Sequence, residues 1–244
     1  LETQEPQERF VVKDSGVRFS HVAQRPTFSE DEREIVERGL AFYDQIARQN
    51  PSSLQLRFES AKAFSRLALL HGGLDENSEA QRAFQKAISR LKDLTEQEPD
   101  MPQYFVELAR AYYQQGRLSR WWPDSKTTFG EAVAAASQAL ELSPDNVDAL
   151  QLRGRAYLCQ QDYESAASDL EEIVRLQPKN ADACYELSQV FEEAERTDES
   201  LVYAQRSVEF DPDNPKYREA LAYIYKYGHS DRKSAAATLE PLLE

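Results

Sequence analysis

Apolar residues recur along this chain at spacings of three and four, the signature of amphipathic helices rather than strands. Leu56 to Leu70 carries Ala61 and Phe64 on one face, and Ser78 to Glu98 continues with a second helical run. The same period returns through Leu108, Ala109 and Tyr112, then Leu150, Gly154 and Tyr157, and finally Leu221, Ala222 and Tyr225. Between the runs stand polar phrases built on proline: Asn50-Pro51-Ser52, Glu98-Pro99-Asp100, Pro144-Asp145-Asn146, Pro178-Lys179-Asn180 and Pro212-Asp213-Asn214. Proline stops a helix, and the Asp or Asn that follows can turn the chain and cap the next one. Successive prolines lie 48, 45, 34 and 34 residues apart, so the chain is built from repeats.

Two 34-residue units align without gaps. Val147 to Asn180 carries Leu150, Gly154, Tyr157, Ala166, Leu170 and Pro178 where Ala181 to Asn214 carries Cys184, Ser188, Phe191, Ser200, Ala204 and Pro212. Small residues at the eighth and twentieth places let the two helices of a hairpin cross closely. This combination of period, small positions and terminal proline resembles the tetratricopeptide repeat family. The resemblance implies an all-α fold, a right-handed superhelical solenoid of antiparallel helix pairs. Arg153 departs from the pattern at the usually leucine seventh place, as do Ile173 and Ser207 at the usually alanine twenty-seventh.

The predicted layout is an extended segment or linker over residues 1–29 and a solenoid over 30–244, with a leading helix at 30–50. Units follow at about 52–99, 101–144, 147–178, 181–212 and 215–244, with an insertion at about 117–130. Within residues 1–29, Phe10-Val11-Val12 and Val17-Arg18-Phe19 flank Asp14-Ser15-Gly16, which reads either as a short hairpin or as a linker along the solenoid. The longer N-terminal units, with phrases such as Ala83-Phe84-Gln85-Lys86-Ala87-Ile88, resemble repeat segments attached to bacterial, planctomycete-like serine/threonine protein kinases. That resemblance implies a sensory or regulatory appendage of a larger signalling protein, the alternative to a free-standing scaffold.

Composition narrows the chemistry. With 29 Lys+Arg against 43 Asp+Glu in 244 residues, the net charge of −14 argues against a phosphate backbone as partner, so no nucleic acid is expected. No apolar run is long enough to span a bilayer, so direct membrane insertion is not expected either. Three scattered histidines and two cysteines offer no metal-ligand spacing. Cys159 and Cys184 fall within first helices and are read as apolar fillers with unbridged thiols. The phosphate-binding, dinucleotide and nucleophile-elbow motifs are missing, as are the kinase motifs, so neither a catalytic residue nor a cofactor is expected. The chain opens on Leu1 and its single methionine is Met101, which reads as a processed or excised chain.

What remains is an interaction surface. In the family that the repeats resemble, first-helix residues at places two, five, six, nine, twelve and thirteen line a concave wall. Carried over, these places nominate Arg110, Tyr113, Leu152, Arg155, Tyr185, Gln189, Glu193 and Tyr223 as groove residues for a protein or peptide partner. Arginines dominate the N-terminal part of this wall and glutamates the C-terminal part, and residues 151–200 alone hold 5 basic and 12 acidic side chains. An extended peptide would therefore be oriented by charge, with its acidic end toward Arg110 and Arg155 and its basic end toward Glu193. Trp121 and Trp122, in the insertion, are the other candidates, either as a binding hot spot or as a plug packed on the solenoid.

Overall fold

In this computed structural model, residues 52–118 and 125–240 are described, together with isolated positions between 38 and 50. The segment 1–29, both tryptophans and Pro241 lie outside the described residues. The described helical positions from Arg38 to Gln49 fall within the leading helix read from the sequence. Its Asp44 accepts from Arg90, whose guanidinium also donates to Ser60 and lies 4.6 Å from the centre of the Phe64 ring.

The described chain runs α1 (Leu54–Gly73), α2 (Asn77–Gln97), α3 (Pro102–Leu118), α4 (Ser125–Leu142), α5 (Val147–Gln160) and α6 (Tyr163–Leu176). It continues with α7 (Ala181–Glu193), α8 (Thr197–Phe210), α9 (Pro215–Tyr223), a π-helical turn Ile224–Gly228 and α10 (Arg232–Leu239). The inter-repeat phrases act as caps. Asn146 accepts from the Ala149 amide at 3.0 Å, Asn180 from Ala183 at 2.9 Å and Asn214 from Lys216 at 3.2 Å, each satisfying an amide that a helix start leaves unpaired. Inside the hairpins the chain reverses through left-handed residues instead: Asp75, Gln161, Glu195 and Ser230 have φ between 55° and 65°.

Each odd-numbered helix packs on its successor in a hairpin, and α2, α4, α6 and α8 carry the stack to the next unit. The small places are where the helices touch. A Cβ on Gly154 would stand 3.3 Å from Leu170 Cγ and 3.4 Å from the Ala166 carbonyl oxygen. In the next unit the two small places bond directly, Ser200 Oγ donating to the Ser188 carbonyl at 2.8 Å. One continuous core from Phe58 to Phe191 results, with a smaller cluster of Ala204, Leu221 and Ile224 at the C-terminal end. Together these describe the right-handed superhelical solenoid of helix pairs.

The departures from the repeat pattern have local reasons. Arg153 forms a fork onto Asp169, with Nε and Nη2 donating at 2.8 and 2.7 Å, and its Nη1 reaches Ser137 Oγ at 3.1 Å. Its hydrogen bond to the buried Asp169 raises the guanidinium pKa further. Ser207 is fully buried and donates to the Ala204 carbonyl at 2.8 Å.

The insertion expected over 117–130 is helical at its described residues. α3 runs on to Leu118 and α4 starts at Ser125, so much of the extra length is helix rather than loop. Phe129 explains it: its buried ring lies 6.0 Å from that of Tyr113 and presses on Gly116, where a Cβ would come within 2.8 Å of it. With Ala132 and Ala136 it extends the apolar stripe of α4 at helical spacing.

Candidate functional site

The first helices of the hairpins, α1, α3, α5, α7 and α9, meet one another through side chains, at expected groove places except for Tyr104 and Tyr217, each at the third place of its repeat. Phe58 of α1 packs its ring 4.9 Å from Tyr104 of α3, and Arg110 of α3 lies 3.9 Å from Asp148 of α5. From α5, Gln151 Nε2 donates to Glu186 Oε1 at 2.8 Å and Arg155 Nε to Glu186 Oε2 at 3.0 Å, with Arg155 Nη2 closing a fork. From α9, Tyr217 donates its hydroxyl to Asp182 of α7 at 2.6 Å, and its ring stands 5.3 Å from that of Tyr185. The five helices therefore form one side-chain-to-side-chain wall.

This geometry revises the charge reading. Arg155 is not a free cation awaiting a ligand. It is paired with Glu186, whose side chain is only 8% exposed against 36% for Arg155. Burial works against the Arg155 charge, yet the hydrogen bonds and charge of Glu186 prevail and raise its pKa. Arg110 is shared between Glu107 at 3.3 Å and Asp148. The middle of the wall is thus neutralised from within.

Of the remaining groove residues, Leu152 and Tyr185 are buried at 3% and 2% exposure, so they hold the wall together rather than present anchors. Burial first, and then the charges of Glu186 and Glu192, push the Tyr185 phenol up to about 12. Lys216 sits 4.1 Å above that ring, and Gln189 donates to its hydroxyl at 2.7 Å. Tyr113 is half-buried, and burial pushes its phenol to about 12 as well. The C-terminal part of the wall is open: Glu192, Glu193 and Lys226 are exposed, Tyr223 is half-buried, and Tyr227 is 49% exposed with its ring 4.8 Å from that of Tyr223. Glu192 keeps solvent contact, yet the protein around it and, second, the Glu193 charge push its carboxyl up to about 7.

No disulfide joins the cysteines. Cys184 is a buried filler, as read from the sequence, whereas Cys159, in the last turn of α5, is exposed rather than buried in the core. Among the described residues, no group of three or more His, Cys, Asp or Glu could hold a metal ion, and no helix is long and apolar enough to cross a membrane. Sequence reasoning missed the partners of Arg153 and Arg155. The signal for the latter lies in the register, since Arg155 and Glu186 are 31 residues apart, one repeat less three. That spacing puts both on the same wall.

A stack of antiparallel hairpins sharing one wall of first helices defines an α-solenoid protein. The model of the tetratricopeptide repeat family matches residues 65–120, 128–169 and 152–215, more than half of the chain, and this chain belongs to that family. Its repeats support a protein–protein interaction scaffold. Among solved structures, it resembles a thermophilic tetratricopeptide-repeat protein of Thermus thermophilus, with 17% identity over 78% of this chain and 90% of that one at a TM-score of 0.59. It also resembles MamA, residues 41 to the end, from Desulfovibrio magneticus RS-1, with 22% identity over 78% and 96% of the two chains at a TM-score of 0.56. Among curated proteins, it is 24% identical over 96 residues to anaphase-promoting complex subunit 3 of Schizosaccharomyces pombe. That match covers 39% of this chain and spans only 14% of the length of that protein.

Proposed function

We propose that this chain is a non-catalytic scaffold that binds an extended segment of a protein partner along the wall of first helices. One observation carries the reading: α1, α3, α5, α7 and α9 are joined in sequence through side chains, giving a continuous surface several repeats long. An extended segment needs a surface of that kind, with apolar footing and polar groups in register, and repeat solenoids build it from one place in each repeat. The wall offers Tyr113 and Tyr223 as partly buried aromatic footing, with Arg110 and Gln189 as polar contacts beside them. Arginine and tyrosine are the residue types over-represented at interfaces.

The test compares tagged wild-type protein with Arg66→Glu/Arg110→Glu, where Arg66 is the exposed α1 residue at the thirteenth, wall-lining place of its repeat, and with Arg82→Glu, a control on α2 whose side chain is 72% exposed. Partners enriched on wild type and on the control, but lost from the wall variant at unchanged helical content, support the reading. Equal recovery on all three rejects the wall as the binding surface.

A further inference from the structure

The wall is not uniform, and its C-terminal end carries an electrostatic arrangement that the fold alone does not favour. Glu192 and Glu193 occupy the last turn of α7, which holds no basic residue. The carbonyl end of a helix carries partial negative charge, so two adjacent carboxylates there repel both the helix and each other. Neither makes an ion pair or a side-chain hydrogen bond among the described residues, whereas Glu186, two turns earlier on the same helix, is fully paired. Burial first, and then the charges of Glu192, Tyr227 and Glu193, raise the pKa of the Tyr223 hydroxyl, and its ring lies 4.8 Å from that of the exposed Tyr227, tilted by 43°. The faces of this region demonstrably take ammonium groups: Lys216 lies 4.1 Å above Tyr185 and Lys226 lies 4.7 Å above Tyr227. Neither lysine is ion-paired to Glu192 or Glu193 in the described residues.

We infer that Glu192, Glu193, Tyr223 and Tyr227 form a subsite for a lysine or arginine side chain of a partner protein's extended segment, a deepening that rests on the wall being the binding surface. Charge complementarity names the occupant. A cation placed between the carboxylates and a tyrosine face gains both Coulomb attraction and cation–π contact, and it relieves the repulsion at the α7 terminus. An acidic or apolar segment would leave the two carboxylates uncompensated. Binding energy held in reserve at the cost of the free protein's stability is a pattern seen at functional sites.

The probe is the peptide acetyl-Lys-Ser-Lys-Ser-Lys-amide, titrated at pH 8 into the full chain and followed by amide chemical shifts. Its norleucine counterpart serves as the uncharged control. Saturable shifts centred on Glu192, Glu193, Tyr223 and Tyr227 are expected with the lysine peptide alone. Glu192→Gln/Glu193→Gln should weaken binding at least tenfold while raising the melting temperature of the free protein. Glu209→Gln/Asp213→Asn, which removes the same charge from exposed positions elsewhere, should leave affinity within twofold.

Equal weakening by both variants would mean attraction to net charge only and would overturn the proposal. So would shifts scattered over the acidic surface, or a lower melting temperature in the Glu192/Glu193 variant. Site signals that change with protein concentration before peptide is added, or that are lost on Arg18→Ser/Arg25→Ser, would assign the subsite to a second copy or to this chain's own N-terminal segment, and either also overturns it. The wall reading is judged separately by partner loss in Arg66→Glu/Arg110→Glu, so one can fail while the other stands.

Discussion

The Arg155–Glu186 pair links the stability of the solenoid to the wall, and its energetics follow from unequal burial. Glu186 is 8% exposed and accepts from Gln151 at 2.8 Å and from both ends of the Arg155 fork, whereas Arg155 keeps 36% of its side chain in solvent. At an effective dielectric of about 20, two unit charges about 4 Å apart attract by about 4 kcal/mol, before desolvation is counted. Arg155→Leu strands a buried carboxylate, for which the usual cost is about 3–5 kcal/mol; solvent access at the Arg155 side reduces this to about 2–3 kcal/mol. Glu186→Leu strands only a guanidinium that can turn outward, and should cost about 1 kcal/mol. Arg155→Leu/Glu186→Leu replaces the pair by apolar contact and should fall within about 1 kcal/mol of wild type. Urea unfolding by circular dichroism at pH 7 measures all four proteins of this double-mutant cycle. Equal single costs, or a coupling below about 0.5 kcal/mol, would refute the assignment of this pair as an internal tie.

Three further outcomes follow. Gln161 caps α5 at φ 65°, a conformation that favours glycine, so Gln161→Gly should stabilise the protein by about 0.5–1 kcal/mol in urea unfolding; a lower midpoint would contradict the turn geometry. Arg153→Leu restores the family's usual residue yet leaves the buried Asp169 without its fork, so it should lower stability by about 2 kcal/mol, and Arg153→Leu/Asp169→Leu should recover most of the loss. The Glu192 carboxyl titrates at about 7 in the fold against 4.5 ordinarily, so its contribution is full below pH 4.5 and is lost as pH rises through about 7. Melting temperatures from pH 5 to 8 should therefore fall more in wild type than in Glu192→Gln, and parallel curves would refute the shift.

The solenoid was legible in the sequence because its determinants are local. Prolines end the second helices, Asn146, Asn180 and Asn214 cap the next ones, and Gly154/Ala166 and Ser188/Ser200 mark the crossings. The wall was only half legible. A place in the repeat says which side a residue lies on, but not whether a neighbour neutralises it, and that depends on contacts such as Arg155 to Glu186 or Tyr217 to Asp182, 31 and 35 residues apart. Tyr185 read as a groove residue from its place in the repeat, yet it is buried, with the ring of Tyr217 on the next first helix packed 5.3 Å from its own. Phe129 was concealed differently, since Gly130 behind it and the tryptophan-proline phrase before it read as loop, while its packing on Gly116 makes the segment helical.

The central claim is that partners bind the wall of first helices, and site-specific photo-crosslinking tests it most directly. Crosslinkers at Arg110, Gln189 and Tyr223 probe the wall, and others at Arg82, Val202 and Glu209 probe exposed positions on the second helices. The account predicts adducts to the same partner from the three wall positions and none from the second-helix positions. Adducts confined to Arg82, Val202 and Glu209 would contradict it.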